Sequence, residues 1–144
     1  HANPADTDAR SEALYGAWLC GVCLGSVGMA LHHKLCHTLG GSFQLPHAQT
    51  HCVILPHVTA FNAAVVPALN ALGQTLNASS LGYALHQLAD TCDAPTSLQS
   101  LGMREQDLAV AADLALANPY YNPRIFNKDD ILSLLQAAYS GKAP

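Results

Sequence analysis

Imidazoles are concentrated in one stretch of this 144-residue chain: seven of its eight histidines precede residue 58, and His32, His33, His37, His47 and His51 lie close together, with Cys36 among them. On a helix His33 and His37 stand at i and i+4, so their rings share a face and can converge on a metal ion or a substrate. His32 and Cys36 form a second such pair, turned by about 100° around the axis. Only one of the two pairs can then face a given cleft squarely. His47 follows Pro46 at the start of the next element, where a reversal through Gly40-Gly41 can return it to His33 or His37. His51, one turn further, shares the face of His47.

Three chemistries compete for this cluster. A metalloprotease helix needs a glutamate directly after its first histidine as general base, and Lys34 occupies that place. A zinc finger built from Cys20-x-x-Cys23 and His33-x-x-x-His37 has only nine residues between its halves, apolar and helical in pattern, too few for that fold. The third is a cleft between two domains, in which one or two imidazoles bind a metal or polarise a carbonyl while the other domain supplies the rest. Elsewhere, His57 and His86 read as core histidines, and Cys20, Cys23, Cys36, Cys52 and Cys92 as small buried residues. Tyr120 and Tyr121 stand in a Pro-flanked loop, as interface aromatics or as a phenolic proton donor. Arg124 and Lys128 are surface charges, unless an anionic substrate recruits them.

The elements that must position these groups belong to a chain poor in charge. Only 6 Lys+Arg and 10 Asp+Glu are present, 11% of residues against 50% apolar. A surface so sparsely charged is expected to be hidden in part against another domain or subunit. The net charge of −4, with basic residues scattered singly, leaves no patch for a phosphate backbone and excludes nucleic acid as the expected partner. The N-terminus lacks the basic and apolar stretches of a secretory leader. Five cysteines, an odd number and mostly in apolar runs, suit reduced thiols and a cytoplasmic setting. Ala13 to Leu31 contains no charged residue. That is the length of a membrane span, but its small residues and lack of flanking Lys/Arg bias favour a buried central helix and no membrane partner.

No alternation of β-branched residues argues for a sheet, so the class is all-α, a bundle of about five to seven helices forming a single domain over residues 1–144. The first helix is expected from Ser11 to Leu39, capped by Asp8 or Ser11 and stopped by Gly40-Gly41. The second runs from His47 to about Asn77 and is interrupted at Pro56 and Pro67, each of which is expected to kink or break it. Others are expected over Ser80 to Thr91, Arg104 to Ala117 and Lys128 to Tyr139, separated by Pro95, Gly102 and the run from Asn118 to Pro123.

The run from Gly28 to Gly41 (GMALHHKLCHTLGG), followed by Leu45-Pro46-His47, Leu55-Pro56-His57-Val58 and Phe61-Asn62, resembles the C-terminal helical domain of the iron-containing alcohol dehydrogenase superfamily. Within that group the His32-His33 doublet, the Cys36-His37 step and the segment Pro46 to His51 are most similar to the maleylacetate reductases. Asn118 to Arg124 and the closing Asp130-Ile131 helix extend the likeness over nearly the whole chain.

The resemblance implies His33 and His47 as metal ligands in metal-dependent members, with His37 on the substrate side near the nicotinamide. The remaining two ligands and the whole nucleotide-binding domain are implied upstream of residue 1, since no Gly-rich phosphate loop or βαβ unit occurs here. The chain alone is therefore expected to be inactive, and the full enzyme to be a homodimer. The implied activity is NADH- or NADPH-dependent reduction of maleylacetate to 3-oxoadipate in the breakdown of aromatic compounds. His37 and Tyr120 become the expected catalytic groups, with His33, His47, His51 and Arg124 binding substrate. Iron or zinc is possible in this scheme but not required. The alternatives are a metal-dependent alcohol dehydrogenase, which stabilises a carbonyl oxygen through the ion, and a histidine-rich metal-binding or interaction module with no reaction of its own.

Overall fold

A computed structural model describes residues 3–118 and 120–144. His1, Ala2 and Pro119 of the Asn118–Pro123 run lie outside the described residues. Among those described there are seven α-helices and no strand: α1 (Thr7–Ser26), α2 (Leu31–Phe43), α3 (His47–Ala63), α4 (Pro67–Thr75), α5 (Leu81–Thr91), α6 (Leu108–Leu116) and α7 (Lys128–Ser140), with one 3₁₀ turn at Glu105–Asp107.

The local chemistry of the last helices is direct. Ser80 caps α5 by accepting from the Tyr83 N–H at 3.1 Å. Asn127 and Asp130 close a reciprocal capping box on α7, with bonds of 3.0 and 2.9 Å, and Gly141 ends that helix at φ 70°. Pro67 opens α4 as its first residue, where its missing N–H costs nothing.

Four helices enclose the core. Leu31, Leu35, Cys36 and Leu39 of α2 meet Val53, Ile54 and Val58 of α3, Ala111, Ala112 and Ala115 of α6, and Ile131 and Leu135 of α7. Leu98 and Met103, from the connection after α5, fill the remaining space. On the far side of α3 lies α5, its approach set by Gly82: a Cβ there would stand 2.7 Å from the Pro56 carbonyl oxygen and 2.8 Å from the Ala60 Cβ.

Five expectations about the helices are corrected here. The first helix is not continuous from Ser11 to Leu39. It breaks at Val27–Ala30, and α1 and α2 meet at 97°. Its cap is Asp6, whose carboxylate accepts from the Asp8 and Ala9 N–H groups at 3.0 Å, rather than Asp8 or Ser11. Nor is α1 a buried central helix: none of its residues is buried, and Leu14 (71%) and Trp18 (61%) are largely exposed. Its apolar residues encircle it, so it has the composition of an enclosed helix, but none of the other described helices encloses it. Among the described residues no single helix is long and apolar enough to cross a membrane.

The remaining two concern the helix breakers. Gly40 and Gly41 lie inside α2, which continues to Phe43 and ends at Gln44 in the left-handed region at φ 58°. Pro56 lies inside α3 without ending it. An interior proline costs a helix about 3 kcal/mol; here α3 is buried between α2 and α5, and that packing holds the helix through the missing hydrogen bond. Of the five cysteines only Cys36 is buried, whereas Cys20, Cys23, Cys52 and Cys92 are exposed.

Candidate functional site

The histidines are assembled by the tight reversal between α2 and α3. Gln44 takes the left-handed conformation, Leu45 turns inward and donates its N–H to the Leu39 carbonyl at 3.4 Å, and Pro46 starts α3. Thr50, fully buried, ties the first turn of α3 by donating its hydroxyl to the Pro46 carbonyl at 2.7 Å. The His47 and His51 rings are thereby returned to α2.

Five imidazoles form a continuous array. The centroid of His51 lies 4.7 Å from that of His32, 5.2 Å from His33 and 4.4 Å from His47. His32 and His33 are 5.1 Å apart, His33 and His37 6.2 Å, and His37 and His47 6.4 Å. The reversal expected from the sequence does bring His47 and His51 back to His33 and His37. Of the two i, i+4 pairs on α2, His33 and His37 both join the array, whereas of the second pair only His32 does, because His51 lies between the two faces of α2. Cys36 itself points into the core, where burial pushes its thiol up to about 12.

Electrostatics keeps the inner part of the array neutral. Burial is the main cause that lowers His32 to about 4, helped by the like charges that His51 and His33 would carry and partly offset by a backbone hydrogen bond at His51. His33 is held below its ordinary value by burial, then by His37 and His47. His51 is lowered by burial, then by His47, His33 and His37. At neutral pH these three rings offer lone pairs to a ligand, while His37 and His47 lie exposed at the outer edge.

His32, His33 and His51 line a cavity of 670 Å³ together with Cys20, Cys23 and Leu24 of α1 and Cys52 of α3. The one group of His, Cys, Asp or Glu among the described residues whose ligand atoms lie within 4.8 Å of one another is His32, His33 and His51, without either cysteine of the Cys20-x-x-Cys23 pair. His47, paired with His33 in the expected ligand set, joins the array through both His51 and His37.

Tyr120 is placed beside α2, its ring 5.7 Å from the Lys34 ammonium and 5.5 Å from Phe126. Its hydroxyl is buried without a hydrogen-bond partner, and burial raises its pKa to about 12. Tyr121 is exposed at 77%. Arg124 is not brought to the histidines. Its guanidinium stacks 3.9 Å from the Phe61 ring centroid, donates to the Phe61 carbonyl at 3.1 Å, and lines a separate cavity of 290 Å³ with His57 and Ser133. His57 is buried as a core residue, His86 lies within 3.3 Å of the Gly141 carbonyl, and Lys128 pairs with Asp113 at 2.6 Å.

Comparison with known proteins agrees with this architecture. A family model, the C-terminal part of the Fe-containing alcohol dehydrogenase family, matches residues 1–139. The chain is 54% identical to a maleylacetate reductase of Burkholderia cepacia over 144 residues, 99% of this chain and 41% of that protein. It is 49% identical to maleylacetate reductase 1 of Rhodococcus opacus, covering 99% of this chain and 40% of that protein. The crystal structure of maleylacetate reductase from Rhizobium sp. superposes with a TM-score of 0.94 at 51% identity, again over 99% of this chain and 41% of that one. An iron-containing alcohol dehydrogenase from Corynebacterium glutamicum superposes with a TM-score of 0.89 at 42% identity, over 98% of this chain and 40% of that one. The chain thus spans about two fifths of the length of the curated relatives it matches. With the helical order, the histidine array and the family model in agreement over nearly every residue, the chain belongs to the Fe-containing alcohol dehydrogenase family, whose C-terminal part it represents.

Proposed function

We propose that this chain is the substrate-side part of an NADH- or NADPH-dependent reductase that converts maleylacetate to 3-oxoadipate. The observation that carries the reading is the five-imidazole array on α2 and α3, in a chain that aligns over almost its full length with maleylacetate reductases. An N-terminal nucleotide-binding domain supplies the nicotinamide and covers the apolar surface of α1, which the described chain leaves open. Residues 1–144 act as one helical domain in that assembly, which we place in the cytoplasm as a homodimer.

The reaction divides into two transfers. Hydride from the nicotinamide adds to the alkene carbon remote from the ketone, and the alkene electron pair moves to give an enolate on the ketone oxygen. A proton then goes to the carbon between, yielding the saturated oxo-acid. The protein must hold negative charge on oxygen and then deliver a proton. His37, exposed at the edge of the array, is the donor to the enolate. Tyr120, whose buried hydroxyl is free of protein partners, is the second donor. His33, His47 and His51 line the substrate cleft, and Arg124 shapes it from a distance by fixing the Tyr120 loop on Phe61.

The family is named for iron, and the residues present fit such an ion in part: His33 and His47 would hold it as two imidazoles, with the other ligands from outside this chain. An ion so bound supplies Lewis-acid polarisation of the ketone oxygen.

The test is nicotinamide oxidation by the full-length protein with maleylacetate. His37→Ala is expected to lower kcat by about 100-fold or more. Normal turnover by that variant overturns the assignment, and turnover of simple aldehydes with none of maleylacetate overturns the substrate.

A further inference from the structure

We infer that Lys34 is the group that holds a carboxylate of the substrate, and that it selects anionic over uncharged substrates. The inference rests on the reductase reading above and gives a role to a residue that reading leaves without one.

Charge is the first argument. Maleylacetate carries two carboxylates, and a cation within reach of the reacting atoms offsets them. The chain has six basic side chains. Arg104 is paired with Asp107 and Lys128 with Asp113. Arg124 is stacked on Phe61, away from the histidines. Arg10 lies in α1 and Lys142 beyond α7. Lys34 is the one Lys or Arg on α2 or α3, and those two helices contain no Asp or Glu. Among the described residues its half-buried ammonium has no ion pair, and its neighbour is the Tyr120 ring, with the centroid at 5.7 Å.

Position is the second argument. Lys34 stands about 60° around α2 from His37 and about 100° from His33, on the flank opposite His32. Tyr120 lies on the same flank, since its ring meets the Lys34 ammonium. The Tyr120 hydroxyl is buried without a partner, a costly state that a substrate oxygen relieves. One side of α2 thus presents a cation, a phenol and an imidazole together. The contact with Tyr120 also restrains the flexible lysine stem before substrate arrives, which reduces the ordering cost of binding. A carboxylate held at Lys34 turns the rest of the substrate toward His37 and Tyr120, the donors to the enolate.

The full-length protein is assayed with maleylacetate and a nicotinamide cofactor. Lys34→Met keeps the apolar stem and removes the charge. It is expected to raise KM for maleylacetate by about 10-fold or more. The kcat should stay within about 3-fold of the parent, with KM for the nicotinamide unchanged. Lys34→Arg should restore part of the loss. Between about 0.01 and 0.15 M salt, where the Debye length falls from about 30 to about 8 Å, KM of the parent should rise and that of Lys34→Met should rise less. A lysine that only packs against Tyr120 gives no such difference. Adipate, a six-carbon dicarboxylate with no double bond to reduce, supplies a readout free of turnover. Its calorimetric affinity for the full-length protein should fall by about 10-fold or more in Lys34→Met. Thermal melts establish that the variant folds, and Lys34→Gln replaces it if it does not. Equal KM for maleylacetate, or equal adipate affinity, in parent and variant overturns the inference, as does a fall in kcat with KM unchanged. If the parent fails to reduce maleylacetate while adipate binding still depends on Lys34, the reductase reading falls and the carboxylate site stands.

Discussion

The carboxamides of Asn62 and Asn122 hydrogen-bond each other in both directions, Asn62 Nδ2 to Asn122 Oδ1 at 3.2 Å and Asn122 Nδ2 to Asn62 Oδ1 at 2.8 Å. Asn122 Nδ2 also donates to the Arg124 carbonyl at 2.7 Å. With Arg124 on Phe61, this pair clamps the loop carrying Tyr120 to the C-terminal end of α3. Asn122→Ala is expected to lower stability by about 1–3 kcal/mol, because the Asn62 amide is left part-buried without its partner. A double-mutant cycle with Asn62→Ala, read by urea denaturation, should give a coupling energy of about 1 kcal/mol or more.

Tyr120→Phe separates structure from chemistry. The phenol makes no hydrogen bond within the protein, so its removal should leave stability within about 0.5 kcal/mol of the parent. If the hydroxyl donates to substrate, kcat of the full-length enzyme falls while the melting temperature stays in place. A fall in both together assigns Tyr120 to packing alone.

Acid should destabilise the fold through His57. Burial first, and the neighbouring His86 second, lower its pKa from 6.5 to about 4. The folded state thus binds fewer protons than the unfolded state between those values. Its stability is fully present above pH 6.5 and is lost as pH falls through the window to about 4. The full loss from this residue amounts to about 3 kcal/mol. His57→Leu should reduce the pH dependence of the urea midpoint by a corresponding amount. His32, also lowered to about 4, contributes with the same sign, so the dependence is reduced rather than abolished. An unchanged slope in His57→Leu would remove His57 from the account.

Gly82→Ala should be among the most damaging small substitutions in the chain. Its Cβ would meet Pro56 backbone oxygen at 2.7 Å, and backbone cannot rotate away as a flexible side chain can. Separating α5 from α3 is expected to cost about 1–3 kcal/mol, measurable by chemical denaturation.

Thiol reactivity gives a simple check on burial. A colorimetric disulfide reagent should titrate Cys20, Cys23, Cys52 and Cys92 in the native protein. Cys36 should react only after denaturation, since it is fully buried and its thiol is pushed up to about 12.

What the sequence discloses follows from where each signal is stored. Helices α5 and α7 are bounded by local chemistry, Ser80, the Asn127–Asp130 box and Gly141, and their limits, like those of α6, agree with expectation to within a few residues. Gly40-Gly41 and Pro56 misled because helix-breaking propensity is local whereas the packing that overrides it is not. The true end of α2 is at Gln44, a residue type with no special claim to the left-handed conformation. The exposure of α1 was hidden because composition records that a helix needs covering without recording which segment covers it. His33, His37 and His47 were legible from spacing. Spacing puts His32 near them but leaves open whether its ring faces the same cleft, since that depends on how α3 crosses α2, which no periodicity encodes.

The short passage from Gln44 to Pro46 gains a further meaning from these contacts. It acts as a phase lock between two helical clocks: Leu45 is held inward, and Pro46 sets the starting angle of α3. Each residue of helix advances the side-chain direction by about 100°. An insertion or deletion there that carried into α3 would swing His47 and His51 off the array at a stroke, although no histidine had been touched. Three residues that lend no side chain to the array thus govern whether five imidazoles act together or as unrelated surface side chains.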